Sequence, residues 1–271
     1  MIKIEKIGFI GAGKMGSALL AGVLRAKIVP AGKVLISEID KARREEICKK
    51  HRVRAADLDE LARSCETILL CVKPNVVAPV LRKIREFVGE EKLVVSIAAG
   101  ITTASIETEL KPGVPVVRAM PNIAATVGES ATALTAGKVA VAEHIELARS
   151  ILGSVGNVVE LPEKLIDAVT GLSGSGPAYV FLFAEALLSG ALKVGLPAKE
   201  ARELVVMTIK GAAAMLEADK GSHPAVLRDA VTTPGGTTIA GLHELESKGF
   251  RDAVIRAVEV ATERSQELGK S

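Results

Sequence analysis

Aromatic side chains are nearly missing from this sequence: it has no tryptophan, one tyrosine and five phenylalanines, 2% of 271 residues. Few ring platforms remain on which unpaired bases could stack. Charge excess is missing as well, because 35 basic and 32 acidic residues give a net charge of +3 with no long basic block. Nucleic acid is therefore not indicated as a partner. Cysteine is scarce, and Cys48, Cys65 and Cys71 are scattered without the spacing of metal ligands. Free thiols in a reducing compartment, and no metal, are the expectation. An uninterrupted apolar span is also lacking, since the most apolar segment, Tyr179 to Leu196, carries Glu185 and Lys193. Lys3, Glu5 and Lys6 interleave with the first apolar residues, so no signal peptide is expected. Together these absences predict a soluble cytoplasmic protein without a membrane partner. The length allows one large or two ordinary domains with a full core.

What the chain does have is glycine, 25 residues of it, and the first cluster is the informative one. The apolar run Ile7-Gly8-Phe9-Ile10 reads as a buried strand. It turns through Gly11-Ala12-Gly13-Lys14-Met15-Gly16 into a helical pattern containing Leu19, Leu20 and Val23. Gly-x-Gly-x-x-Gly between strand and helix is the dinucleotide-binding fingerprint. Gly11 permits the tight turn, Gly13 lets a pyrophosphate approach the backbone, and Gly16 lets helix pack on strand. Amides and dipole at the helix start then favour an anion without needing a lysine. A second strand, Lys33 to Glu38, completes a βαβ unit and places Glu38 where an acidic residue accepts from the adenosine ribose. Beside a 2′-phosphate its charge would repel, by about 4 kcal/mol at ~4 Å and an effective dielectric near 20. Lys41, Arg43 and Arg44 stand near enough in sequence to offset it, so the residues lean toward NADH while leaving NADPH open.

Strand and helix patterns then alternate. Helices are expected over Asp40 to His51, Leu58 to Ser64, Val76 to Phe87, Ile101 to Leu110 and Ala142 to Leu152. Strands are expected over Thr67 to Val72, which stops at Lys73-Pro74, and over Leu93 to Gly100, Val114 to Met120, Thr132 to Thr135 and Val155 to Leu161. Such alternation predicts a doubly wound α/β domain over residues 1–162. From about Leu165 strands disappear, and residues 163–271 read as an all-α domain suited to oligomerisation and substrate closure.

Two polar stretches mark that second half. Gly171-Leu172-Ser173-Gly174-Ser175-Gly176-Pro177 reads as a loop ahead of a helix, with amides available to a small anion or, alternatively, as a close backbone contact. Thr232-Thr233-Pro234-Gly235-Gly236-Thr237-Thr238 fixes a turn and presents hydroxyls and amides ahead of the helix Ala240 to Leu245, which suits a carboxylate or imine ligand.

Over essentially its whole length the chain resembles the bacterial pyrroline-5-carboxylate reductases. The carriers are Phe9 to Met15, Cys71-Val72-Lys73-Pro74, Ser96 to Gly100, Met120-Pro121-Asn122, Asp167 to Tyr179 and Asp229 to Ile239. The resemblance implies reduction of 1-pyrroline-5-carboxylate to proline by NADPH or NADH. It places the cofactor against Ile10 to Met15, Cys71, Val72, Lys73 and Pro74, and Ile97, Ala98 and Ala99, with Asn122 counted among its contacts. It implies that Gly236, Thr237 and Thr238 meet the substrate carboxylate, that the Thr238 hydroxyl lies near the ring nitrogen, and that two subunits build the site between interleaved helical domains. Glu38, where many relatives have a neutral group, and Leu58, where relatives often have asparagine, are departures from the pattern.

The missing residues agree with imine chemistry. Reduction of a ketone needs a proton donor for oxygen. A cyclic imine can take its proton from water and then needs chiefly alignment with the hydride donor. His51, His144, His223 and His243 all lie outside the glycine-rich stretches. A β-hydroxyacid dehydrogenase is the nearest rival, but the positions where its motif has Lys and Asn hold Val180 and Ala184. A binding protein without turnover is the rival of another class; it has no use for both polar stretches of the second half.

Overall fold

A computed structural model describes residues 5–269; the expected interleaving at Lys3 lies outside the described residues. The chain opens with β1 (Ile7–Ile10), α1 (Lys14–Arg25), β2 (Val34–Ser37), α2 (Lys41–His51), β3 (Arg54–Ala55), α3 (Leu58–Ser64), β4 (Thr67–Leu70) and α4 (Pro74–Ile84). It continues through β5 (Leu93–Ser96), α5 (Thr103–Glu109), β6 (Val116–Met120), β7 (Ser130–Ala136), α6 (Ala142–Gly153) and β8 (Gly156–Glu160). The strands form one sheet in the order β3-β2-β1-β4-β5-β6-β7-β8. The six strands β1 to β6 are parallel, in the dinucleotide-fold order 3-2-1-4-5-6.

Apolar runs without alternation become strands here because helices cover both sheet faces. Phe9, Leu69 and Val95 point to one face and meet Leu19, Leu20 and Ile151 of α1 and α6. Ile10, Leu70 and Val94 point to the other and meet Leu61, Leu81 and Ile84 of α3 and α4. All twelve are at most 2% exposed.

β7 departs from the winding: it runs antiparallel to β6, and β8 runs parallel to β7. The link from β6 is a short 3₁₀ turn, Ile123–Val127, closed by Gly128. A link that short suits an antiparallel neighbour, whereas β7 and β8 are joined through α6, the crossover a parallel pair requires.

After β8 come a short helix α7 (Ile166–Val169), a π-helical turn Thr170–Gly174, α8 (Gly176–Lys193), α9 (Ala198–Ala218), α10 (Pro224–Ala230), α11 (Thr237–Ser247) and α12 (Phe250–Leu268). The chain divides into two compact units, one reaching Ser175 and resuming at Val258, the other running from Gly176 to Ala257. In the helical unit α8 and α9 pack side by side, and the Phe183 and Phe250 rings lie 5.9 Å apart. Yet Ala201 is the one fully buried residue among those of the unit, while Phe181, Leu182, Val194 and Met207 are 61–79% exposed. By length and composition alone the helical stretch Glu163–Lys193 holds a window apolar enough to cross a membrane, although Glu185 and Lys193 still interrupt the apolar segment.

Candidate functional site

At the carboxyl end of β1 the fold requires two of the three glycines, Gly11 and Gly16, and leaves the third open. Gly11 has φ +90°, and a Cβ there would stand 2.7 Å from the Cys71 carbonyl oxygen. A Cβ on Gly16 would collide with the Gly11 carbonyl, so α1 can lie this close to the turn only without one. At Gly13 a Cβ would meet nothing; that position opens into a cleft. Gly13 is also the N-cap of α1, with no side chain capping it and no acidic residue in the first turn. The first amides of α1 therefore keep their capacity to bind an anion. This cradle fits a dinucleotide pyrophosphate.

The cleft has a volume of about 870 Å³, within the range of small-molecule sites. Strand β1 gives Ile10 and Gly11, the β2 end gives Ser37, Glu38 and Ile39, and the β4 end gives Cys71, Val72 and Lys73. It therefore sits where the strand order reverses, between β1 and β4, the place where open α/β sheets bind ligands. The Glu38 carboxylate is 7% exposed and doubly held: Ala12 N donates to Oε2 at 2.8 Å, and Asp40 N donates to Oε1 at 3.0 Å. Burial pushes the Cys71 thiol up to about 12, so it is neutral and no nucleophile at ordinary pH.

Of the expected cofactor residues, Ile10, Gly11, Gly13, Glu38, Cys71, Val72 and Lys73 share this cleft. Ala12, Lys14, Met15, Gly16, Pro74, Ile97, Ala98, Ala99 and Asn122 are not among its lining residues. Ala12 fixes Glu38, Gly16 permits the helix approach, and Pro74 opens α4 at its first position. Ile97 N continues the ladder to Leu70 O at 3.1 Å. Asn122 is used within the fold: its Nδ2 donates to Ser173 O at 2.9 Å and its Oδ1 accepts from Ala124 N at 3.1 Å. Residues that the sequence reading did not assign to the cofactor also line the cleft, among them Ile39, Asp57, Val76 and Lys83. The two-residue strand β3, which brings Ala55 to Asp57 there, is too short to leave a sequence pattern.

The Ser173, Gly174, Ser175 and Gly176 stretch is not a loop of open amides, which corrects the expectation. Ser173 and Gly174 lie in the π turn, Ser175 N donates to Thr170 O at 2.9 Å, and Gly176 begins α8. A Cβ on Gly174 would stand 2.9 Å from the Met120 methyl, and one on Gly171 2.6 Å from Val258 O, so these glycines serve close packing. Around the turn Arg118, 2% exposed, pairs with Glu163 at 3.3 Å and Asp167 at 3.6 Å, and Ser265 donates to Asp167 at 2.7 Å. π turns recur at functional sites because they re-aim side chains within a helix.

In the helical unit the Thr233 to Gly236 turn is closed by Gly236 N donating to Thr233 O at 3.0 Å. Pro234 and Gly235, with φ +68° at Gly235, are what a type II turn demands. Gly236 caps α11 with no side-chain bond, so Thr237 and Thr238 begin the helix rather than precede it. Their amides are helix-start donors, and the half-buried Thr238 adds a hydroxyl.

Comparison with known proteins agrees with both halves. The family description "Pyrroline-5-carboxylate reductase dimerisation" matches residues 163–268, and "NADP oxidoreductase coenzyme F420-dependent" matches residues 6–100. A pyrroline-5-carboxylate reductase of Methanosarcina acetivorans is 45% identical, with 98% of each chain covered. One of Synechocystis is 44% identical over 98% of each. Among solved structures, the reductase of Coxiella burnetii superimposes with a TM-score of 0.91 at 33% identity, over 98% of this chain and 99% of that one. The Plasmodium falciparum enzyme, solved with NADP bound, gives a TM-score of 0.87 at 32% identity over 99% and 100%. On this near end-to-end likeness in sequence and structure, the chain belongs to the pyrroline-5-carboxylate reductase family.

Proposed function

We propose that this chain reduces 1-pyrroline-5-carboxylate to L-proline with NADH or NADPH, the last step of proline biosynthesis. The observation that carries the reading is the glycine turn open at Gly13 above a cleft, in a chain that matches reductases of this name over 98% of its length. The bound nicotinamide supplies the hydride. The α1 amides hold the pyrophosphate, and Glu38 accepts from the ribose. The uncapped start of α11 at Gly236, Thr237 and Thr238 takes the substrate carboxylate, with the Thr238 hydroxyl beside the ring nitrogen. An imine protonated by water before reduction needs no dedicated acid from the protein. What the protein contributes is alignment and oriented dipoles rather than a dedicated acid.

The same reading assigns residues 1–162 to the cofactor and 163–271 to dimerisation and substrate, with Ser173 to Gly176 on the substrate side. A second copy of the chain covers the exposed faces of α8 and α9 and completes the active site between subunits. The enzyme works in the cytoplasm and binds neither nucleic acid nor membrane.

Purified protein mixed with 1-pyrroline-5-carboxylate and NADH, or NADPH, should lose reduced-nicotinamide absorbance in proportion to L-proline formed. No oxidation with either cofactor, or oxidation only with hydroxyacid-derived aldehydes, would sink the proposal.

A further inference from the structure

We infer that Glu38 commits this enzyme to NADH and works against NADPH; the inference rests on the cleft being the dinucleotide site. It starts from how firmly the carboxylate is placed. β2 ends at Ser37, and Glu38 follows with only 8% of its surface exposed. A buried carboxylate needs donors, and Glu38 has one on each oxygen: the amide of Ala12, from the glycine turn, and the amide of Asp40, the N-cap of α2. Its position is thus tied directly to the turn that cradles the pyrophosphate. An ionised carboxylate has about four lone-pair sites, so acceptor capacity remains for ribose hydroxyls. A 2′-hydroxyl is a donor and satisfies it. A 2′-phosphate brings only acceptors and further negative charge, and meets a group that cannot turn away.

The cations that would rescue NADPH are already engaged. Arg43 stands 3.8 Å from the Glu38 carboxylate and 3.6 Å from that of Asp40. Arg44 donates to the Glu38 carbonyl at 3.3 Å. Both line the cleft, yet each would have to leave partners within this chain to neutralise a phosphate. Lys73 and Lys83 also line it, from the β4–α4 side rather than from the β2 end. Beside Glu38, Ile39 is 99% exposed on the cleft wall, an apolar surface against which an adenine face can lie.

The test uses the unliganded full-length protein, titrated calorimetrically with NADH and with NADPH, together with kcat/KM for each cofactor on 1-pyrroline-5-carboxylate. We expect NADH to be favoured at least about tenfold in both measurements, and Glu38→Gln to shrink that ratio by a similar factor, chiefly by strengthening NADPH. Glu38→Ser should carry it further, toward NADPH. Should Glu38→Ser fail to fold after losing the acceptor for Ala12, the wild-type ratio and Glu38→Gln decide. A wild-type ratio near unity or in favour of NADPH, or a Glu38→Gln protein with an unchanged ratio, overturns the inference and leaves the reductase reading standing. Binding of neither cofactor removes both.

Discussion

In the sheet unit, Phe9, Leu69 and Val95 on one face and Ile68, Leu70 and Val94 on the other are all but sealed from water. In the helical unit, Phe181, Leu182, Leu204 and Met207 are more than half exposed, and Ala201 is the one fully buried residue. The side chains named in the two units are alike in being apolar, so what differs is where the burial comes from. Fully burying one large apolar side chain is worth about 1.5–3 kcal/mol. The sheet unit draws that energy from its own helices; α8 and α9 do not draw it from within this chain, and under the proposed dimer a second copy supplies it.

Substitutions can break this contrast from either side. The largest effect is expected at Met207→Glu, because under the proposed dimerisation a two-fold interface over α9 would meet the substitution twice, and an unpaired charge buried there would cost about 3–5 kcal/mol. Light scattering should show dissociation, with proline formation lost while calorimetry still detects cofactor binding. Thr238→Ala should lower kcat about 100-fold, near 3 kcal/mol in the barrier, with little change in Tm; unchanged steady-state kinetics would remove the hydroxyl from the site. Gly16→Ala should destabilise the sheet unit by about 1–3 kcal/mol in urea unfolding, since the new methyl meets the Gly11 carbonyl. Gly13→Ala, a methyl in open space, should leave stability within about 0.5 kcal/mol yet weaken cofactor binding about tenfold.

The smallest expected effect is alkaline. Burial, with Glu66 nearby, raises the Cys65 thiol to about 12 from an unfolded value near 8.5. The neutral thiol's contribution is complete below the unfolded value and is lost as pH climbs toward the folded one. Thermal melts should therefore hold steady to about pH 8 and then decline. Cys65→Ala should flatten that decline. All three cysteines belong to the sheet unit, so the helical unit should show no matching loss.

How much of this was legible in the sequence followed the range of the interaction. Gly11 and Gly16 could be read because their packing roles are set by the turn itself, and the places of Gly13 and Glu38 on the cleft because the turn and the strand length fix where each falls. The direction of β7 could not be read, since alternation in Ser130 to Ala136 is the same whichever way the strand runs. β3 left no signal in two exposed residues. Gly171 and Gly174 suggested a loop, but their missing side chains make room for Val258 and Met120, partners far away in sequence. Asn122 sat in a recognisable motif, yet only coordinates reveal that Ser173 and Ala124 occupy its amide.

The reversed polarity of β7 has a practical side. Ala136 pairs with Val117, and Gly137 N donates to Val116 O, so the chain emerges from β7 beside the beginning of β6. The cleft lies at the other rim, where β1, β2 and β4 finish. Val139, 40% exposed just past that exit, is thus a natural anchor for a fluorophore or surface tether that leaves the nucleotide's approach unobstructed.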